Sequence, residues 1–381
     1  MKRLYSVLLA VIIAVSIVPV VSACHFKKEK LIEESSVVTQ PEEKTEIYYA
    51  KTKSGAETDA VILATMQDTM PDGNCLWVGT FQIVWNEVID NITRRPIEFV
   101  EGTTVTAKHL NKREFKKTDI SENSYYTKYG KVSPELKKEI EKGIKEKFNE
   151  TSDILHSFDF SYNPKKIFIY AMLKKDFKFL EPFDKLSEDT FGNKNSEKVK
   201  YFGIKSSSSR NLYKNVSVLF YNSDNDYAVK LNTKTNDRVI LYRTDDIKKF
   251  NEYYNDIKSK SKAFDDNKYF GHYDRLKVPD ISLYLKTSFR DVEGKHIKKS
   301  DFKIDKTIET IDFKMDNEGV KLKSEAAMLM LNSAGPGVTP KIRYFYFDKD
   351  FVLFLIEDGK NVPYYAMRVT DIASLNKTGK K

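Results

Sequence analysis

Glu309-Thr310-Ile311-Asp312-Phe313-Lys314-Met315-Asp316-Asn317-Glu318-Gly319-Val320-Lys321-Leu322-Lys323-Ser324-Glu325-Ala326 carries the pattern from which the fold is read. Ile311, Phe313 and Met315 alternate with Asp312, Lys314 and Asp316, the period of two expected of a half-buried strand. Asn317, Glu318 and Gly319 interrupt it. The alternation then restarts, with Val320, Leu322, Ser324, Ala326, Met328 and Met330 on one face and Lys321, Lys323 and Glu325 on the other. Ser333-Ala334-Gly335-Pro336-Gly337 marks a loop tip, and Pro340 precedes the next apolar run. Strand patterning therefore leads straight into an exposed loop. Such a segment can stand outside a sheet or enter it as an extra strand.

Working outward, further strands are expected over 167–173, 216–221, 227–231, 238–242 and 281–285, with a hairpin turn at Asn222-Ser223-Asp224-Asn225. Phe81, Val84, Trp85, Val88 and Ile92 recur at helical spacing, which predicts a buried amphipathic helix over 76–92. Ser133-Pro134-Glu135 combines a cap, a first-turn proline and an acid at the positive helix end. Leu136, Ile140, Ile144 and Phe148 then follow four apart. Another helix is expected over 244–259, with Asp245 and Asp246 in its first turn, and 193–215 reads as a long solvated loop. Helices gather in the first half and strands in the second, which indicates an α+β fold with helices packed on antiparallel sheets.

The chain has 381 residues, of which 40% are hydrophobic, enough for one large core. Lys2 and Arg3 followed by the apolar run 8–21 form a secretory leader, residues 1–23. Val21-Ser22-Ala23-Cys24 resembles the cleavage site of a bacterial lipoprotein, with Cys24 as the lipidated residue. Cleavage there leaves 358 residues (381 − 23) with a net charge of +7 (+9 less Lys2 and Arg3). The expected address is the outer face of the bacterial cytoplasmic membrane, where a positive protein meets anionic lipid and wall polymers. Lys far outnumbers Arg and no Arg-aromatic interleaving occurs, so nucleic acid is not an expected partner. Residues 24–58 are polar and read as a flexible, lipid-anchored tether. With Cys24 lipidated, Cys75 has no disulfide partner and is expected to be a small buried residue.

His25, His109, His156, His272 and His296 are scattered without metal-ligand spacing, so neither a metal nor another cofactor is expected. No nucleophile elbow, phosphate-cradling glycine loop or dinucleotide fingerprint occurs. His156 lies near Asp153 and Asp159, but nothing supplies a nucleophile to them. The chain is read as a non-enzyme.

The stretch around Gly319 resembles the reactive-loop region of serpins. Asn317-Glu318-Gly319 stands where that family has its Glu-Glu-Gly hinge, with Met315, Phe313 and Ile311 at the apolar positions before it. Asp348-Lys349-Asp350-Phe351 leads into an apolar strand, and Met367-Arg368-Val369 is similar to the ending of the last serpin strand. Upstream, Tyr170-Ala171 and then Phe179-Leu180-Glu181-Pro182-Phe183-Asp184 resemble the Asn-Ala and Trp-x-x-Pro-Phe-Asp elements, and Val278-Pro279-Asp280 opens a further matching strand. The echoes fall in the family's order over roughly residues 165–370. The resemblance implies one serpin-like domain over 59–376 and a monomer. Its inserting face would be Val320, Leu322, Ser324 and Ala326, and its cleavable bond would lie near Ser333-Ala334. It implies an inhibitor or substrate-like trap of extracellular serine proteases. The alternative is a non-inhibitory binding lipoprotein built on the same body.

Overall fold

A computed structural model describes residues 44–192, 196–321 and 342–379. In chain order the strands are β1 Tyr49–Lys51, β2 Glu57–Leu63, β3 Cys75–Val78, β4 Tyr125–Val132, β5 Asn163–Leu173, β6 Phe177–Lys178, β7 Asp184–Thr190, β8 Lys198–Ile204, β9 Val216–Ser223, β10 Asp226–Asn232, β11 Asp237–Arg243, β12 Arg275–Pro279, β13 Ile281–Thr287, β14 Glu309–Asp316, β15 Gly319–Lys321, β16 Tyr344–Tyr346, β17 Phe351–Glu357 and β18 Tyr365–Val369. The α-helices are α1 Thr80–Val88, α2 Val105–Leu110, α3 Pro134–Phe148, α4 Phe250–Ala263 and α5 Ile372–Thr378.

Twelve strands form one sheet in the order β6-β15-β14-β13-β1-β2-β3-β18-β17-β11-β10-β9, while β16-β12-β8-β7 make a second sheet and β4-β5 a ribbon. Every residue of β3, β17 and β18 is buried, as expected of strands covered on both faces. β14 alternates instead: Ile311, Phe313 and Met315 are inside, and Asp312 and Lys314 are exposed. The period-2 reading of this strand holds residue for residue.

Most of the apolar side chains pack into one continuous core. A second, smaller cluster joins Leu136, Ile140 and Ile144 of α3 to Val132 of β4 and to Phe168 and Tyr170 of β5. Helix α3 starts as the sequence indicates, with the Ser133 hydroxyl accepting from the Leu136 N–H. The ribbon and its helix thus carry a core of their own beside the main sheet.

Four expectations are corrected. Leu76, Trp77 and Val78 belong to β3, not to a helix, because they lie between β2 and β18 in the sheet. The helix begins only after Gly79, where a Cβ would overlap the Phe115 ring. The helix placed over 244–259 runs over Phe250–Ala263: Arg243 claims the Thr244 carbonyl and the Asp245 carboxylate, and Glu252 accepts the Lys249 N–H at the true start. The solvated loop at 193–215 contains β8, whose Val199, Tyr201, Phe202 and Ile204 are buried behind alternating lysines. Finally, β1 pairs with both β2 and β13, so the folded body starts ahead of residue 59, and α5 carries it past 376.

Ile140 is fully buried in the small cluster. Ile140→Ala is expected to cost about 2–5 kcal/mol by the usual cavity effect. Hydrogen exchange should rise in α3, β4 and β5 and stay unchanged in β11 and β17.

Candidate functional site

The turn at Asn317 and Glu318 is built by its neighbours in sequence. Asp316 pairs across it with Gly319, so β14 and β15 form a tight hairpin. The Asp316 carboxylate accepts the Glu318 N–H at 3.0 Å. Burial pushes Asp316 upward, but its bonds to Lys314 and to the turn outweigh this and hold it below the ordinary carboxylate range. β15 then pairs with β6 on its other side, Gly319 with Lys178 and Val320 with Phe177. The strands approach so closely that a Cβ on Gly319 would overlap the Phe177 carbonyl.

Two of the stretches singled out in the sequence meet here. The Phe179 N–H donates to the Glu318 carbonyl at 3.0 Å and the Phe183 N–H to the Asn317 carbonyl at 2.8 Å. Asn317 Nδ2 returns a bond to the Phe183 carbonyl at 3.2 Å. Behind the turn, Phe179, Phe183 and Phe202 pack their rings at centroid distances of 4.9–5.9 Å. Asn317 and Glu318 are thus anchored to the segment after β6. Val320, the first residue of the expected inserting face, is buried in β15. Leu322, Ser324, Ala326, Ser333, Ala334 and Cys24 lie outside the described residues.

Among the described residues, no strand pairs with β14 below Lys314 on the side of β15. β14 pairs with β15 only from Lys314 to Asp316, and β5 pairs only with β4 among the described residues. Both strands line a cavity of about 1190 Å3, and among the described residues no strand pairs with the edges in question. It is lined by Val84, Trp85 and Val88 of α1, by Ile167 and Ile169 of β5, and by Glu309 and Thr310 of β14. β6, the continuation of β5 past residues 174–176, is antiparallel to β15, which is antiparallel to β14. β6 and β14 therefore run in one direction, and β15 between them runs in the other.

At the top of the slot a buried ion cluster fixes the joint between β5 and β6. Lys175 contacts Asp237 at 2.9 Å and also Glu357. The Tyr364 hydroxyl donates to Asp237 at 3.0 Å, and the Ser121 N–H and hydroxyl donate to Glu357. Burial pushes Glu357 upward, yet Lys175 and Ser121 outweigh it and hold the carboxylate below its ordinary range. Sequence reasoning missed this cluster, because a lone lysine between two strands carries no periodic signal.

The chemistry at hand is that of strand pairing. Among the described residues no three His, Cys, Asp or Glu side chains are placed to hold a metal ion. Cys75 is buried, and burial pushes its thiol up to about 12.

No family model matches the chain, and no curated protein matches it. Solved structures do. The crystal structure of maspin aligns with a TM-score of 0.50 at 11% identity, covering 78% of this chain and 92% of maspin. Human thyroxine-binding globulin aligns at 0.46 and 11% identity, over 80% and 93% of the two chains. Serpin48 of the insect Tenebrio molitor aligns at 0.40 and 13%, over 67% and 78%.

Removing Lys175 would leave Asp237 and Glu357 buried without a countercharge. Lys175→Ala is expected to cost roughly 3–5 kcal/mol in denaturant unfolding. At 11% identity the likeness to maspin is one of fold, and it agrees with the order of motifs read from the sequence: the chain has a serpin-like α+β fold.

Proposed function

We propose that this chain is a cell-surface lipoprotein whose serpin-like body presents residues 322–341 to extracellular serine proteases, as an inhibitor or substrate-like trap. The observation that supports this reading is the half-begun hairpin above an open slot. β15 already lies between β14 and β6, and the cavity below it is lined by β14 and β5, whose facing edges have no strand partner there among the described residues. Cleavage near Ser333-Ala334 releases the far end of the segment. The residues after Lys321 then continue β15 down the slot as a strand.

The register supports the same reading. Lys314 pairs with Lys321 and Met315 with Val320. Continuing that ladder sets Leu322 opposite Phe313, Ser324 opposite Ile311 and Ala326 opposite Glu309. Phe313, Ile311 and Glu309 all belong to the buried face of β14, so the apolar face read from the sequence enters the interior. On the outer face Lys323 comes to lie opposite Asp312, an attractive pair. Burying Leu322 and completing the backbone ladder contribute several kcal/mol in total.

A single nick between residues 328 and 340, located by mass, is expected to raise the thermal midpoint on the order of 10 °C. Ala326→Trp, which places a large ring against Glu309, is expected to suppress the rise without preventing the nick. A nicked protein with an unchanged or lowered midpoint would overturn insertion and leave the loop as a binding surface.

Cys24 is the proposed lipid attachment point. Cys24→Ser is expected to abolish incorporation of labelled fatty acid and release the protein from the membrane fraction; labelling that persists would refute the anchor.

A further inference from the structure

Two loops of the body are clasped together. Residues 94–102 lie between α1 and α2, and residues 295–303 lie shortly before β14. The Val100 N–H donates to the His296 carbonyl at 2.9 Å and the Lys298 N–H to the Glu98 carbonyl at 2.8 Å, while Phe99 pairs with Ile297. The Arg95 guanidinium reaches across to the carbonyls of Lys298 and Lys299. Arg94 and Lys299, beside this clasp, both hold positive φ, 56° and 54°. That backbone region is disfavoured for residues that carry a side chain, and the clasp holds both residues in it.

The pair of loops is basic. It holds Arg94, Arg95, Lys295, Lys298, Lys299 and Lys303 against Glu98, Glu101 and Asp301, a net charge of +3 (6 − 3). That is close to half of the +7 carried by residues 24–381. Two of the three acids are occupied, Glu98 by Lys298 and Glu101 by His296. Arg94, Lys299, Lys303 and Asp301 are exposed, and the three cations form no ion pair among the described residues. Val100 is 66% exposed next to the buried Phe99.

The N-terminal chain enters the body beside these loops. Thr45 and Glu46 line a small cavity with Thr106 of α2 and with Asp291, and Arg290 lies over the Tyr48 ring at 5.8 Å. α2 follows the first loop and Asp291 precedes the second. As a flexible coil, residues 24–43 would span roughly 25 Å. A bilayer that holds Cys24 would therefore keep the loops close to its surface. The hairpin at Asn317 stands at the other end of β14, roughly 25 Å from the start of that strand.

We propose that these two loops form a docking face for an anionic lipid bilayer, with Arg94, Lys298, Lys299 and Lys303 set against headgroup phosphates and Val100 entering the headgroup layer. The body then stands on this end, with the hairpin at Asn317 turned away from the lipid. The proposal rests on the lipoprotein reading for its setting and adds the face and the orientation. A tether alone leaves the body free to turn. Several cations on one rigid platform fix it, because their attraction to the surface fades within a Debye length, about 8 Å in physiological salt. Burial of an apolar side chain at the tip adds to that attraction.

A dye at the tip tests this. In the full chain, Val100→Cys with Cys24→Ser gives one accessible thiol, since Cys75 is buried, for an environment-sensitive fluorophore. With phosphatidylcholine vesicles the emission should remain that of a dye in water. With a third of the lipid replaced by phosphatidylglycerol it should shift to the blue, and raising salt from about 0.1 M to about 0.5 M should undo the shift. Arg94→Glu with Lys299→Glu should raise the lipid concentration needed for half of the shift at least about tenfold. The same dye placed by Tyr269→Cys, at a residue that is 80% exposed near β9, should stay in water throughout. An equal response to both vesicle types, or a response at 269 and none at 100, overturns the proposal, and the salt series is decisive even where the double variant does not fold. A shift at 100 with a soluble wall polyanion and none with phosphatidylglycerol vesicles overturns the bilayer as partner. Incorporation of labelled fatty acid by the unsubstituted chain decides the anchor separately, so loss of anchoring and loss of docking are told apart.

Discussion

β5 and β14 line one cavity together with α1, and among the described residues no strand lies between them for most of their length. Everything distinctive about this protein depends on that gap. Backbone N–H and C=O groups left without partners are costly when they are shielded from water. The rest of the fold makes the gap tolerable. α1 supplies an apolar lining, the ribbon β4-β5 has its own small core with α3, and the hairpin β14-β15 closes the upper end.

The polar groups around the gap are arranged in two contrasting ways. At the upper end Lys175, Asp237 and Glu357 form a cluster with Tyr364 and Ser121, a buried set of charges with its partners in place. At the lower end Glu309 has one bond where it has capacity for more. A satisfied cluster rigidifies its surroundings, whereas a half-satisfied group is a weak point. The joint between β5 and β6 is thereby tied to β11 and β17, whereas Glu309 joins β14 to the start of α1 by one hydrogen bond.

Much of this was legible in the sequence because it was periodic. Ile311, Phe313 and Met315, the stripe Leu136, Ile140 and Ile144, and the turn at Asp224 and Asn225 each obey a local rule, and each is found where that rule puts it. The order of weak motifs also led to the correct fold class. Failures arose where tertiary contacts override local pattern. Leu76, Trp77 and Val78 fit a helical run as well as a strand, and only the presence of β2 and β18 on either side decides between them. Lysines along β8 disguised a buried strand as a polar loop. Asp245 resembled a helix-start acid but serves Arg243 instead. The two sites with unusual electrostatics were invisible, since Lys175 and Glu309 acquire their character only from residues distant in the chain.

The hairpin turn at Asn317 and Glu318 has a kinetic consequence. Bringing two distant pieces of chain together usually carries an entropic barrier before any contact rewards it. Here the ends are already joined: Gly319 and Val320 sit in register between β14 and β6. Growth of a new strand from that point resembles a zip fastener whose first teeth are engaged. Each added pair orders only its own residue, and slippage by one position is ruled out because it would turn every side chain to the wrong face. For the insertion proposed above, the nucleation step that ordinarily limits how fast a strand joins a sheet is already taken by the pairing of Gly319 and Val320.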